Sequence, residues 1–547
     1  MIRLQPGLVL ALGAALTLQI PLEAQDTATS PNLFPLQNEI ARLVGSPGWR
    51  GAEWGVLAIS LERGDTLVAL SSEARLAPAS NQKLFTSAAA LYHLGPEFRF
   101  PTYMLTDGTV RDGILDGNLI LYGTGDPAIS DRILSGPTEP FREFARALAR
   151  LGIHTVTGDV IGDASFFEGP SRHPSWNARD LDDWYAAPVS ALTFSENVVT
   201  LQVRGGEPGT TPQPATDPPG AGILVTNSAT TVSGRPSSPV LLVRDGPEGA
   251  IELRGEVRSG AGELWRVLTV ADPAAYAASV LRHVLAEEGI RMEGSARALG
   301  PEETSPVTRA NVVAPAFDRG GAAPLRTLAV HYSPPVRELL QVMNKVSHNL
   351  YSELFLFAVG RITTGTGSFA SGAQALTDYL INVVGVAPGD IYIEDGSGLS
   401  RFNRATASSF ISLLTHVSET SYADDFWASL PEAGNRRELG RMYQSLAAGN
   451  LRAKTGTISR VSALSGVVRG VGGEPILFSI LSNNVPSTST AKSVEDRIGI
   501  ELASFSRSWG PSEGELARVE YGDYGPRMNP VSEVSEALDA SVDAARR

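Results

Sequence analysis

The chain has 547 residues, a formal net charge of −14 and no cysteine. The charge argues against nucleic-acid binding and against simple adsorption on acidic membranes. Without cysteine the chain needs no disulfide, carries no lipoprotein anchor and holds no thiolate metal site, while its length points to more than one domain.

Residues 1–24 place Arg3 ahead of an apolar run from Leu8 to Ile20 and end on Leu22-Glu23-Ala24. This is the pattern of a cleavable signal peptide. The run is short for a membrane-spanning helix, which needs about 20 apolar residues. The expectation is an exported protein, periplasmic or otherwise in the cell envelope, with no transmembrane anchor after cleavage.

Trp54 to Leu61 and Thr66 to Leu70 read as a strand pair around Arg63-Gly64-Asp65. Next comes Ser80-Asn81-Gln82-Lys83, followed by Leu84, Ala88 and Leu91 at helical spacing. Ser80 is then expected near a helix start, with Lys83 one turn on and on the same face. A serine hydroxyl needs a base, and a lysine serves only if burial or nearby positive charge lowers its pKa. Taken alone, S-x-x-K reads as an N-cap serine followed by a solvated lysine.

Residues 105–320 read as an insertion, since a compact core needs no such excursion. Asn118 to Tyr122, Val198 to Val203 and Val240 to Val243 are strand-like, with turns rich in Gly and Pro between them. Helices are expected at about 139–151 and over Pro273 to Gly289. The seven histidines show no metal-ligand spacing, and Gly365-Thr366-Gly367-Ser368 lacks the lysine of a phosphate loop. No metal or organic cofactor is implied.

Beyond the insertion, helix-like runs flank Ser347-His348-Asn349, which predicts an inter-helix turn with Ser347 and Asn349 aimed at a cleft. A β pattern opens at Lys454-Thr455-Gly456-Thr457 and continues through Val461 to Val468 and Pro475 to Leu481. Lysine and threonine on an edge strand can bind a carboxylate, and Gly456 permits close approach to the backbone. After about residue 507 the pattern weakens into a loosely attached or partner-binding tail, 507–547, with one apolar stripe from Val531 to Val542.

The ordered set S-x-x-K, S-x-N, K-T-G is the signature of penicillin-binding proteins and serine β-lactamases. His348 is expected to face solvent, because the motif uses only its first and third positions. The chain further resembles the low-molecular-mass class C penicillin-binding proteins, the D-alanyl-D-alanine carboxypeptidase/endopeptidases of peptidase family S13. That likeness rests on Asp395-Gly396-Ser397-Gly398-Leu399-Ser400-Arg401-Phe402-Asn403, on Ser333-Pro334-Pro335, on Gly123-Thr124-Gly125-Asp126-Pro127 and on Tyr185 to Leu192. Two departures are His348, where an acidic residue is usual, and Gly434 to Leu439, where a D-G-T-like run is usual.

The resemblance implies an α/β (α+β) fold with a β-lactamase/transpeptidase-like core, its antiparallel sheet covered by helices. Residues 30–104 and 321–506 would form that core, and 105–320 one or more β-rich accessory domains. It implies Ser80 as nucleophile, with Lys83, Ser347, Asn349 and Lys454 as catalytic partners. Thr455, Gly456 and Thr457 would bind substrate, and the N–H groups of Thr457 and Ser80 would form an oxyanion hole. Asp163 would read an amine on the peptide side chain, or else cap a turn. The implied partners are peptidoglycan stem peptides and β-lactam antibiotics. A β-lactamase on the same fold and a non-catalytic peptidoglycan-binding protein are the alternatives.

Overall fold

The structure is a computed structural model that describes residues 32–244, 246, 249–300, 302–308, 316–317 and 325–507. The expected signal peptide and nearly all of the expected tail lie outside the described residues. Among the described residues no helix is long and apolar enough to cross a membrane.

The core is built from both ends of the chain around a five-stranded antiparallel sheet. Its order is Thr66–Leu70, Glu53–Ser60, Pro475–Asn483, Val461–Arg469, Arg452–Ile458. Residues alternate across it as a pleated strand requires. Trp54, Val56 and Ala58 face one apolar layer, while Leu57 and Ile59 face the other. The first layer is closed by α1 (Leu33–Val44) and by a C-terminal helix, Thr488–Ala503.

On the opposite face lies α2 (Gln82–His93), buried from Gln82 to Leu91. Two further helices belong to the excursion, α3 (Glu139–Arg150) and α4 (Pro273–Glu287). The remainder of the helical layer follows it: α5 (Val336–Lys345), α6 (Asn349–Thr364), α7 (Phe369–Tyr379), α8 (Ala407–Ser418) and α9 (Ala423–Ser429). Phe85 of α2 stacks on Phe410 of α8 with ring centroids 4.4 Å apart. The Thr488–Ala503 helix is α10.

The excursion makes its own five-stranded sheet, in the order Ala296–Ala298, Val160–Asp163, Leu119–Gly123, Pro101–Thr106, Arg326–Tyr332. Helices α3 and α4 bury their apolar stripes against it. The strands that open and close it lie slightly outside the 105 and 320 read from the sequence. Because Pro101–Thr106 pairs with Arg326–Tyr332, the chain leaves and re-enters the core at neighbouring points. A smaller lobe, centred on Val198–Arg204 between Gln213–Asp217 and Leu264–Thr269, extends from this sheet.

Candidate active site

Ser80 lies in a 3₁₀ turn, Ala79–Asn81, that runs straight into α2. Ala79 is left-handed, with φ +47°. That region is sparsely populated by non-glycine residues, so the turn is held by its surroundings. One such contact is Gly456 on the edge strand Arg452–Ile458. A Cβ there would stand 2.8 Å from the Pro78 carbonyl and 3.1 Å from the Ser80 nitrogen, so only glycine lets the strand lie this close. Asn81 ties the turn to the same sheet. With its amide turned to satisfy both ends, it donates to the Lys454 carbonyl at 2.8 Å and accepts from the Ser465 hydroxyl at 2.7 Å.

Lys83, one turn beyond Ser80, is fully buried. Its Nζ donates to Ser80 Oγ at 3.1 Å, to Asn349 Oδ1 at 2.7 Å and to the Ser397 carbonyl at 2.8 Å. None of these three partners carries a charge. Burial therefore lowers the Lys83 pKa to about 7, although the carboxylates of Glu353 and Asp395 pull the other way.

A second lysine–hydroxyl pair faces the first. Lys454 Nζ donates to Ser347 Oγ at 2.9 Å and to the Thr455 carbonyl at 2.8 Å. Burial, and then the positive charge of Lys83, push its pKa well below the ordinary lysine value. Ser347 sits on the turn between α5 and α6, as expected, with φ +60°. Asn349 opens α6 and bridges two parts of the chain, accepting from Lys83 and donating to the Tyr185 carbonyl of the excursion at 2.8 Å. The structure thus brings Ser80, Lys83, Asn349, Ser347 and Lys454 together, with Thr455, Gly456 and Thr457 on the adjoining edge strand.

The Asp395-to-Asn403 loop supplies a floor that sequence reasoning recognised but gave no role. Asp395 accepts from the Gly398 and Ser400 amides, from Asn403 Nδ2 and from Trp176 Nε1. Glu353 accepts from the Gly396 and Ser397 amides, both at 2.8 Å. These contacts aim the Ser397 carbonyl at Lys83. Burial, with repulsion from Asp395, pushes the Glu353 carboxyl up to about 8. Gly398 has φ +81°, and a Cβ there would overlap the Ala79 carbonyl.

One expectation changes, and one pair of alternatives gains a structural setting. His348 does not face solvent: it is 1% exposed, and its Nε2 meets Glu196 Oε2 at 2.9 Å. Its ring packs between Trp184 and Tyr351, with centroids at 5.6 and 4.7 Å. Spacing alone could not reveal a partner 152 residues away. Asp163 ends the strand Val160–Asp163 and is fully buried. Its Oδ1 accepts from the Ser165 amide at 2.8 Å and its Oδ2 from Ser305 Oγ at 2.5 Å, the arrangement of a turn cap with neither oxygen open.

Among the described residues no cluster of three His, Asp or Glu could hold a metal. The groups on view are a serine hydroxyl 3.1 Å from a buried lysine amine whose pKa burial lowers to about 7, and a second lysine–hydroxyl pair facing them.

Residues 36–504 match the model of the D-Ala-D-Ala carboxypeptidase 3 (S13) family. The chain is 31% identical over 514 residues to a D-alanyl-D-alanine carboxypeptidase of an Actinomadura species, covering 90% of this chain and 88% of the relative. It is 25% identical over 440 residues to the D-alanyl-D-alanine carboxypeptidase DacB of Haemophilus influenzae, covering 78% and 85%. In fold it resembles the crystal structure of penicillin binding protein 4 from that organism. The TM-score is 0.69 at 23% identity, with 85% of this chain and 99% of the other covered.

Proposed function

The chain belongs to the D-Ala-D-Ala carboxypeptidase 3 (S13) family and is a serine peptidase, and from that premise we propose how its site works and on what. The substrate is a peptidoglycan stem peptide ending in D-Ala-D-Ala. Ser80 Oγ attacks the penultimate D-Ala carbonyl carbon, and Lys83 Nζ takes the hydroxyl proton. The oxyanion is held by the N–H groups of Ser80 and Thr457. The C–N bond breaks, and the terminal D-Ala leaves as an amine that receives its proton through Ser347, backed by Lys454. Its carboxylate rests near Lys454, Thr455 and Thr457. Water then cleaves the Ser80 ester.

The observation that carries this reading is the 3.1 Å bond between Ser80 Oγ and a buried Lys83 given no charged hydrogen-bond partner. The same attack on a cross-linked peptide releases a second peptide's amine, so DD-endopeptidase activity belongs to the proposal. A β-lactam would acylate Ser80 in the same way, with its ring opened and no amine released. Residues 1–24 support export to the cell envelope, which sequencing the mature N-terminus would test.

Time-resolved intact-mass measurement with a labelled penicillin tests the site. Wild type is expected to take one acyl group, on Ser80, and Ser80→Ala none. An adduct mapped to another residue would overturn the assignment. An adduct that is lost within seconds would favour the β-lactamase reading, against which stand S-x-N in place of Y-x-N and the long excursion. No adduct at all would favour a non-catalytic binder.

A further inference from the structure

The turn that carries Ser347 is gripped from outside its own helices. Ser347 is left-handed, a conformation that a non-glycine residue keeps only where its surroundings impose it. The next residue, His348, anchors the turn by its backbone, donating to the Met343 carbonyl at 2.9 Å. It also anchors it by its ring, through the bond to Glu196. Asn349, following directly, is tied to Tyr185. Both grips come from the excursion.

The Glu196 side of the grip is elaborately built. Arg132 holds the carboxylate with two bonds, Nε to Oε1 at 2.6 Å and Nη2 to Oε2 at 3.0 Å. Ser195, Glu196 and Asn197 are three consecutive left-handed residues, with φ between +48° and +57°. Asn197 locks that run by donating to the Pro188 carbonyl at 2.8 Å and accepting from the Phe194 amide at 3.2 Å. The Ser195 amide donates to the Ile129 carbonyl at 2.7 Å. A carboxylate beside His348 Nε2 can only accept, so this nitrogen carries the proton. His348 Nδ1 is then a buried acceptor with no partner among the described residues. Well-packed apolar residues would fill the same space without a buried charge. What the polar cluster adds is a fixed direction for one imidazole, set between two catalytic side chains.

We propose that Glu196 and Arg132 are positioning residues for acyl transfer, acting through His348 to hold the left-handed turn at Ser347 and keep its Oγ on Lys454. The proposal rests on the reading of Ser347 and Lys454 as the proton-return pair. It gives the excursion a part in positioning the catalytic turn, although the arm that sets the turn is separate in sequence from every catalytic residue.

The test compares the full-length wild type with Glu196→Gln, His348→Asn and the double variant. Glu196→Gln keeps the volume and a hydrogen bond, but its amide can donate as well as accept and so no longer dictates the tautomer. Nitrogen-15 spectra of the seven histidines, with His348 identified by its loss in His348→Asn, are expected to show Nε2–H in wild type and a mixture in Glu196→Gln. For a D-Ala-D-Ala peptide, kcat is expected to fall about ten- to a hundred-fold, the scale of a small misplacement of a reacting group, with KM within about three-fold. The double variant should be no worse than the more impaired single variant, as for residues that act as one unit. Three results would overturn the proposal: an unchanged tautomer with kcat within two-fold of wild type; additive losses that track the fall in Tm; or a wild type that takes no acyl group on Ser80. The last would remove the catalytic reading itself, whereas the first two leave it standing and remove only the positioning role.

Discussion

Two buried polar clusters flank the Ser347–Asn349 turn, and they treat charge in opposite ways. Around Lys83 and Lys454 the hydrogen-bond partners are hydroxyls, carbonyls and an amide. The carboxylates nearest to Lys83, Glu353 and Asp395, direct their oxygens mainly to backbone N–H groups instead. Around Glu196 the positive charge of Arg132 is matched directly, at 2.6 Å. Burial works against ionisation of Glu196, yet His348 and Arg132 hold its carboxyl well below the usual range. Burial alone therefore does not make a group reactive. A lysine with no charged hydrogen-bond partner has its pKa brought down to about 7, while a carboxylate given one stays ionised despite its burial.

The sharpest way to break this comparison is to exchange arginine and lysine in each cluster. Lys83→Arg keeps the charge but cannot lose it, because a guanidinium stays protonated at any relevant pH. Ser80 acylation is expected to fall by about a thousand-fold, as far as with Lys83→Ala. Gel or mass assays that found Lys83→Arg near the wild-type rate would make Lys83 an electrostatic partner only.

Proton titration probes the same cluster without mutation. In the proposed mechanism the base is the neutral amine of Lys83, whose pKa burial lowers to about 7. The acylation rate is expected to rise about ten-fold per pH unit below that value and to level off above it. A rate that stayed flat from pH 5 to 8 would show that Lys83 is not the base.

Arg132→Lys is the complementary exchange. It keeps the charge but loses the two-pronged hold on Glu196, which the planar guanidinium alone provides. The expected result is about a ten-fold lower kcat and a loss of stability of about 1–3 kcal/mol in chemical denaturation. Neutral behaviour in both would mean that one point charge suffices to hold Glu196.

The smallest effect is expected at Asp163. Its contacts with Ser165 and Ser305 predict that Asp163→Ala lowers stability by about 1 kcal/mol, as for a lost cap. It should affect a peptide with a free side-chain amine and its acetylated form alike. A loss confined to the free amine would restore the amine-reading role and require Ser305 to give way when substrate binds.

Much of the core was legible because its signals are local. The strand pair at 53–70, the helix start at Ser80 and the strands after Lys454 announce themselves through period, turn residues and motif. The excursion's two helices and its strand from Val198 did so too. What escaped was long-range pairing. Nothing near Pro101–Thr106 signals that it joins Arg326–Tyr332, so the strands that make the junction of the excursion could not be named from the sequence. His348 was read as solvent-facing because two of the groups that cover it, Glu196 and Trp184, lie on a segment distant in sequence. The role of Asp395 to Asn403 was hidden for a similar reason: Gly398 must be glycine because of Ala79, on the far side of the excursion.

The wiring of the core sheet also fixes an order in time. The nucleophile is made early, and the strand that completes its turn arrives late: the Asn81–Ser465 contact spans 384 positions. That strand can dock only through Val461–Arg469 and Pro475–Asn483, which in turn must find Glu53–Ser60. Contacts this distant in sequence form slowly, after the loops between them have closed. A chain still emerging from its N-terminus therefore carries Ser80 without the strand and the second lysine that would make it reactive. Ser80 gains Gly456, Lys454 and Ser465 as neighbours only when strands made about 370 residues later have joined the sheet.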